Sequence, residues 1–207
     1  MAQRQSDNKN VALKFFGYAR TAPDIVFINN EIMLMTALLG VSGVIQLESI
    51  IYDSEEGFMG DKIHKKSYPI IAMEAVGGGD LFDRVTSRVG QCKTVSESSL
   101  AEIFRNSIIA LDGIHKRGFI HRDLKLDNIL LIDDSDNSPV KIIDFGFMCQ
   151  VPAGDCAIRS HQLCGTQGYL APESTYEIKE YSTKSDMWQM VCVVLSIFLY
   201  FLHELIL

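Results

Sequence analysis

Residues 121–131 read His121-Arg122-Asp123-Leu124-Lys125-Leu126-Asp127-Asn128-Ile129-Leu130-Leu131. Working outward, the apolar run Val140-Lys141-Ile142-Ile143 leads into Asp144-Phe145-Gly146. Leu163-Cys164-Gly165-Thr166-Gln167-Gly168-Tyr169-Leu170-Ala171-Pro172-Glu173 follows. Asp-Phe-Gly alone is a trivial tripeptide that a turn after a strand would explain. His-Arg-Asp, Asp-Phe-Gly and Ala-Pro-Glu in this order, at these intervals, form a constellation that chance rarely produces.

At 207 residues the chain holds one large domain or two small ones. A hydrophobic content of 47% is ample for a buried core. The net charge of −7 gives no electrostatic case for binding nucleic acid. Five cysteines, at 92, 149, 156, 164 and 192, match neither a disulfide framework nor a paired zinc motif. They read as free thiols in a reducing compartment. The polar start, Met1 to Asn10, lacks the apolar stretch of a signal peptide, and Ala2 is not the glycine that myristoylation requires. A cytoplasmic location is the expectation.

Residues 11–16 read as a short strand, and Asp24 to Leu39 carries apolar residues at helical spacing. Residues 43–52 and 68–76 read as strands. Between them, Asp53–Ser67 is a polar loop holding Gly57, Gly60 and the solvated basic run His64-Lys65-Lys66. Gly77-Gly78-Gly79 separates a strand-rich first part from a helix-rich second part and is a candidate hinge. Ser96–Lys116 reads as a long helix with Ser96 or Ser98 as N-cap. Short strands are expected near Ile129–Ile132 and Val140–Ile143, joined by a polar turn over residues 133–138. Residues 187–202 form a last, strongly apolar segment.

Together these strings resemble a eukaryotic-type protein kinase, of the serine/threonine kind and nearest the calcium/calmodulin-dependent group. The subgroup rests on Gly78-Gly79-Asp80-Leu81-Phe82-Asp83 and the stretch from His121 to Asn128. The resemblance implies an α+β, bilobal protein-kinase-like fold. Residues 1–76 would be a partial N-lobe with an incomplete β-sheet and one helix. Residues 77–207 would be a partial, incomplete helical C-lobe, the two forming one kinase domain.

It also implies transfer of the γ-phosphoryl of ATP to a protein hydroxyl, with Mg2+ as the metal. Val11-Ala12-Leu13-Lys14 resembles the kinase lysine strand, so Lys14 would bind the α- and β-phosphates and pair with Glu31. Backbone groups of Glu74 and Val76 would bind adenine, with Met73 behind it, and Asp80 would contact the ribose. Ala12 and Leu130 would sandwich the base. Asp123 would orient the acceptor hydroxyl and take its proton, while Lys125 would neutralise the γ-phosphate. Asn128 and Asp144 would hold magnesium through oxygen. Thr166 would bond to both Asp123 and Lys125. Asp186 would cap amides of the 121–124 loop, and Met35, Leu47, His121 and Phe145 would stack as a hydrophobic spine. Ser160 is the nearest hydroxyl to the usual phosphorylation position, with Arg122 as its phosphate partner. A segment ordered without phosphate is the alternative.

The chain departs from the family pattern at both ends. No glycine precedes Lys14, so the glycine-rich phosphate lid has no counterpart here. Beyond residue 207 the further large-lobe helices would be missing, and Glu173 would lack its arginine partner. The expected partners are a protein substrate and, for the exposed central helix, a covering partner. Nucleic acid is not expected. Residues 187–207 read as a core helix apolar all round, or alternatively as a short membrane anchor. The alternative to an active kinase is a catalytically impaired kinase-like binding module, or an incomplete fragment lacking the glycine-rich loop.

Overall fold

A computed structural model describes residues 2–4, 7–16, 22–52, 69–90 and 96–206. The polar loop with Gly57, Gly60 and the basic run, and Cys92, lie outside the described residues. The chain forms two units. One comprises Met1–Leu39 with Ile45–Ala75, the other Gly40–Val44 with Val76–Leu207.

The first unit holds strands β1 (Ala2–Gln3) and β2 (Asn10–Lys14), helix α1 (Ala22–Ala37), and strands β3 (Leu47–Tyr52) and β4 (Pro69–Glu74). They pair antiparallel in the order β1-β2-β4-β3. Pro69 opens β4, where a missing amide costs the ladder least. A bulge between Leu47 and Ser49 sets off Glu48, which receives Arg4 and Lys9. The Lys9 hydrogen bond, with Arg4, holds the Glu48 carboxyl below its ordinary range. The turn from β1 into β2 includes Asn8 at φ 56, a conformation asparagine tolerates better than most residues. On α1 the buried positions Ile28, Glu31, Leu34 and Met35 fall at helical spacing, and buried Leu38 follows just past its end.

The second unit holds α2 (Leu81–Gly90), α3 (Glu97–Lys116), β5 (Phe119–Ile120), β6 (Ile129–Leu131), β7 (Val140–Ile142), β8 (Cys149–Gln150), β9 (Ala157–Ser160), β10 (Lys179–Ser182) and α4 (Thr183–Ile206). Three antiparallel ribbons form: β5 with β8, β6 with β7, and β9 with β10. Ser96 caps α3, its hydroxyl accepting the Ser99 amide at 3.1 Å. Ile103, Ala110, Leu111 and Ile114 line the buried face of α3. Helix α2, which the sequence reading did not mark, buries Leu81 and Val85.

The division differs from the expected boundary between residues 76 and 77. Gly40–Val44 belongs with the second unit, because Gly43 accepts the Ile142 amide at 2.8 Å and Val44 bridges to Ile142. Gly43 adopts φ +73, and a Cβ there would lie 2.6 Å from Cβ of Ala110. Only glycine meets both demands. The glycine run has its own constraint: Gly77 and Gly78 donate to Ile132 and Leu131, and Leu131 donates back to Gly79. A Cβ on Gly78 would stand 2.3 Å from the Asp133 carbonyl oxygen. The run is small so that it can lie against β6.

Helix α4 corrects the expectation of a helix buried all round. Asp186, Gln189, Met190, Val193 and Ile197 are buried, whereas Trp188, Val191, Leu195, Phe198 and Leu199 are exposed. The second unit covers one face only. Phe82 of α2 meets Tyr200 of α4 edge to face at 5.8 Å. No helix among the described residues is long and apolar enough to cross a membrane.

Candidate functional site

The loop from His121 to Asn128 is held from below by α4. Asp186, wholly buried, accepts the amides of His121 at 2.8 Å and Arg122 at 2.9 Å, and meets His115 Nε2 at 2.8 Å. Gln189 accepts the Leu124 amide at 2.9 Å and donates to the Arg122 carbonyl at 2.8 Å. Arg122 lies at φ 70, a left-handed conformation that its neighbours must impose. Its guanidinium donates to the Phe147 carbonyl and stacks over the Tyr181 ring at 5.3 Å. The Tyr181 hydroxyl accepts the Cys164 amide at 2.9 Å and donates to the Gln162 carbonyl at 3.3 Å.

On this scaffold four predicted residues come together. The Asp123 carboxylate is nearly buried at 3% exposure and accepts the Thr166 hydroxyl at 2.7 Å. Lys125 Nζ donates to Thr166 at 3.1 Å and lies 3.5 Å from Asp123. Asn128 donates its amide to the Asp123 carbonyl at 2.8 Å and reaches the Asp123 carboxylate at 3.3 Å. With its nitrogen so committed, Asn128 keeps its side-chain oxygen as its remaining polar atom. The result is a carboxylate, a hydroxyl and an ammonium in mutual contact. Such a cluster can orient an acceptor and spread negative charge.

Asp144 stands exposed at φ 62 after β7, with the Gly146 amide 3.4 Å from its carboxylate. Phe145 turns inward and is buried, its ring 6.0 Å from that of His121. His121 is fully buried, and that burial pushes its pKa below the ordinary histidine value. Its Nε2 faces the Ile143 carbonyl at 3.1 Å, and its Nδ1 accepts the Asp123 amide at 3.3 Å. The neutral ring with a proton on Nε2 satisfies both contacts.

In the first unit Lys14 forms an ion pair with Glu31, which is itself almost wholly buried. The second Glu31 oxygen is buried without a hydrogen-bond partner among the described residues. Ala12 lies opposite Met73 in the β2–β4 register. The Glu74 amide donates to the Gln46 carbonyl at 3.0 Å, so the amide of Glu74 is already spent. Its carboxylate accepts the Gln46 amide at 2.9 Å.

Among the remaining candidates, Asp80 caps α2, its carboxylate accepting the Asp83 amide at 2.7 Å. Leu130 and Val76 are half-buried, and Leu130 bridges to Asp80. Ser160 ends β9 opposite Lys179 and accepts the Gln162 amide at 3.0 Å. Glu173 is half-buried. The described cysteines are free thiols, and burial pushes Cys149 up to about 11. Gln189, His115 and Tyr181 escaped the sequence reading. A visible signal existed for Gln189: a polar residue three positions after Asp186, just before the apolar run from Met190 to Leu195.

The geometry is that of a kinase-type catalytic loop followed by a kinase-type activation segment. The chain matches the protein kinase domain family over residues 1–202, and it belongs to that family. It is 31% identical over 161 residues to calcium-dependent protein kinase 27 of Arabidopsis thaliana, covering 78% of this chain and 30% of that protein. It is 30% identical over 187 residues to calcium/calmodulin-dependent serine/threonine-protein kinase 1 of Oryza sativa subsp. japonica, covering 89% of this chain and 28% of that one. The phosphorylase b kinase gamma catalytic chain, liver/testis isoform, of Mus musculus is 37% identical over 113 residues, covering 55% and 25%. The chain thus spans less than a third of the length of these relatives.

Proposed function

We propose that this chain transfers the γ-phosphoryl group of ATP, with magnesium, to a serine or threonine hydroxyl of a protein. The observation that carries the reading is the Asp123–Thr166–Lys125 cluster, with Asn128 bound to Asp123. Asp123 orients the acceptor hydroxyl and accepts its proton. Lys125 offsets charge on the transferring group, and Lys14, held by Glu31, serves the remaining phosphates. The Asn128 oxygen and the Asp144 carboxylate are hard oxygen donors, too few to cage a metal alone. They suit magnesium, which keeps most of its ligands from water and phosphate. Bound magnesium supplies neutralisation of phosphate charge. The names of the relatives, which include a serine/threonine-protein kinase, support the acceptor class.

The test is phosphotransfer by the full chain to a serine/threonine peptide library with ATP and magnesium, beside Asp123→Asn and Asp144→Asn. Transfer is expected in the parent, lowered about 10²- to 10⁴-fold in Asp123→Asn. Magnesium-dependent stabilisation by ATP should accompany it, about 2.7 kcal/mol at a hundredfold excess over Kd. Stabilisation without transfer would replace the reading with that of a nucleotide-binding module. Neither signal, in a chain that melts cooperatively, would overturn it.

A further inference from the structure

Gln189 is 2% exposed, and its two side-chain bonds reach the Arg122 carbonyl and the Leu124 amide. These peptide groups flank Asp123 on either side. A turn earlier on the same helix, Asp186 takes the amides of His121 and Arg122. Gln189 also lies near the segment that carries Thr166. A Cβ built on Gly165 would stand 2.5 Å from the Arg122 carbonyl oxygen and 3.5 Å from Gln189 Nε2. Gly165 immediately precedes Thr166, the residue bonded to Asp123. One side-chain amide therefore holds the loop that carries Asp123 and lies close to the segment that carries Thr166.

We propose that Gln189 is a positioning residue for phosphotransfer, fixing the peptide groups around Asp123 so that its carboxylate meets Thr166 and the acceptor hydroxyl. The inference rests on the kinase reading above and deepens it. Glutamine provides an acceptor and a donor with no charge. Methionine provides neither. A glutamate carboxylate keeps the acceptor for Leu124 but turns a bare oxygen toward the Arg122 carbonyl. Once protonated, it regains the missing donor.

The experiment compares the full chain with Gln189→Met and Gln189→Glu. In Gln189→Met, kcat should fall about 10- to 100-fold while KM for ATP stays within about twofold. For Gln189→Glu, the ratio of its kcat to that of the parent should rise as pH falls from 9 to 6, roughly tracking protonation of the new carboxyl. A merely structural contribution would lower the melting midpoint and leave that ratio flat. Amide hydrogen exchange over residues 120–126 gives a readout without turnover: Leu124 should exchange at least about tenfold faster in Gln189→Met. Parent-level kcat in Gln189→Met, a flat pH ratio in Gln189→Glu, or unchanged Leu124 protection would overturn the proposal. If Gln189→Met fails to melt cooperatively, the Gln189→Glu pH profile decides. If the parent transfers no phosphate, the reaction reading fails, and Leu124 exchange alone decides whether Gln189 holds the loop.

Discussion

Thr166 ties the Asp123 carboxylate at 2.7 Å and takes Lys125 at 3.1 Å, so one hydroxyl fixes two charged side chains. Thr166→Val removes both bonds while keeping the shape. It should lower kcat about 10- to 100-fold, with Thr166→Ser restoring most of it, as read in steady-state phosphotransfer. His121 supplies a pH signature. Its folded pKa lies below the ordinary value because it is buried. The unfolded chain therefore binds the extra proton below about pH 6.5, and stability falls as pH drops through that value. His121→Phe should flatten this part of the slope between pH 7.5 and 5.5 in thermal melts. Equal slopes would show that His121 contributes none of it. Asp123, Lys125 and Asn128 were legible because they stand at fixed spacing in a local string, residues 121–128, that resembles the kinase catalytic loop. Gln189 was not, because its partners lie 65 and 67 positions away and only the fold brings them near. Asp80 shows a role the spacing did not announce: its carboxylate caps α2 by accepting the Asp83 amide.

Helices α1, α3 and α4 and the short strands β6 and β7 were legible, whereas the two-residue strands, β9, β10 and helix α2 were not. β5 and β8 have two residues each, too few for any alternation to show. β9 and β10, at four residues each, are held mainly by pairing with one another. Helix α2 did carry a pattern, with buried Leu81 and Val85 one turn apart and Arg88 in its last turn. The cap of α3 gives a direct check. Ser96→Ala should cost about 1 kcal/mol. That lowers the midpoint by about 2–4 °C, measurable by circular dichroism. Gly43→Ala should cost more, about 2–5 kcal/mol, because φ +73 and the 2.6 Å approach to Ala110 act together. A variant that melts like the parent would show that Gly40–Val44 contributes little to the second unit.

At the scale of the whole molecule, the exposed face of α4 is the feature with the clearest consequence in solution. Trp188, Val191, Leu195, Phe198 and Leu199 lie 46–64% exposed along one helix. Contiguous apolar surface of this kind favours association. Light scattering should show mass rising with concentration, and the pair Leu195→Lys with Leu199→Glu should reduce the rise. The net charge of −7 opposes but does not remove this tendency. Two units of unequal size follow from the glycine-marked change in character near residue 76, yet the chain does not sort into them cleanly. Gly40–Val44 lies early in sequence but completes the second unit against Ala110 and Ile142. During synthesis those partners leave the ribosome roughly 3–20 s after Gly43, at ordinary elongation rates. Until then this short stretch is a tenon without its mortise. A gene fragment beginning at residue 76 would encode a second unit that must be given residues 40–44 as a separate peptide to regain its native stability.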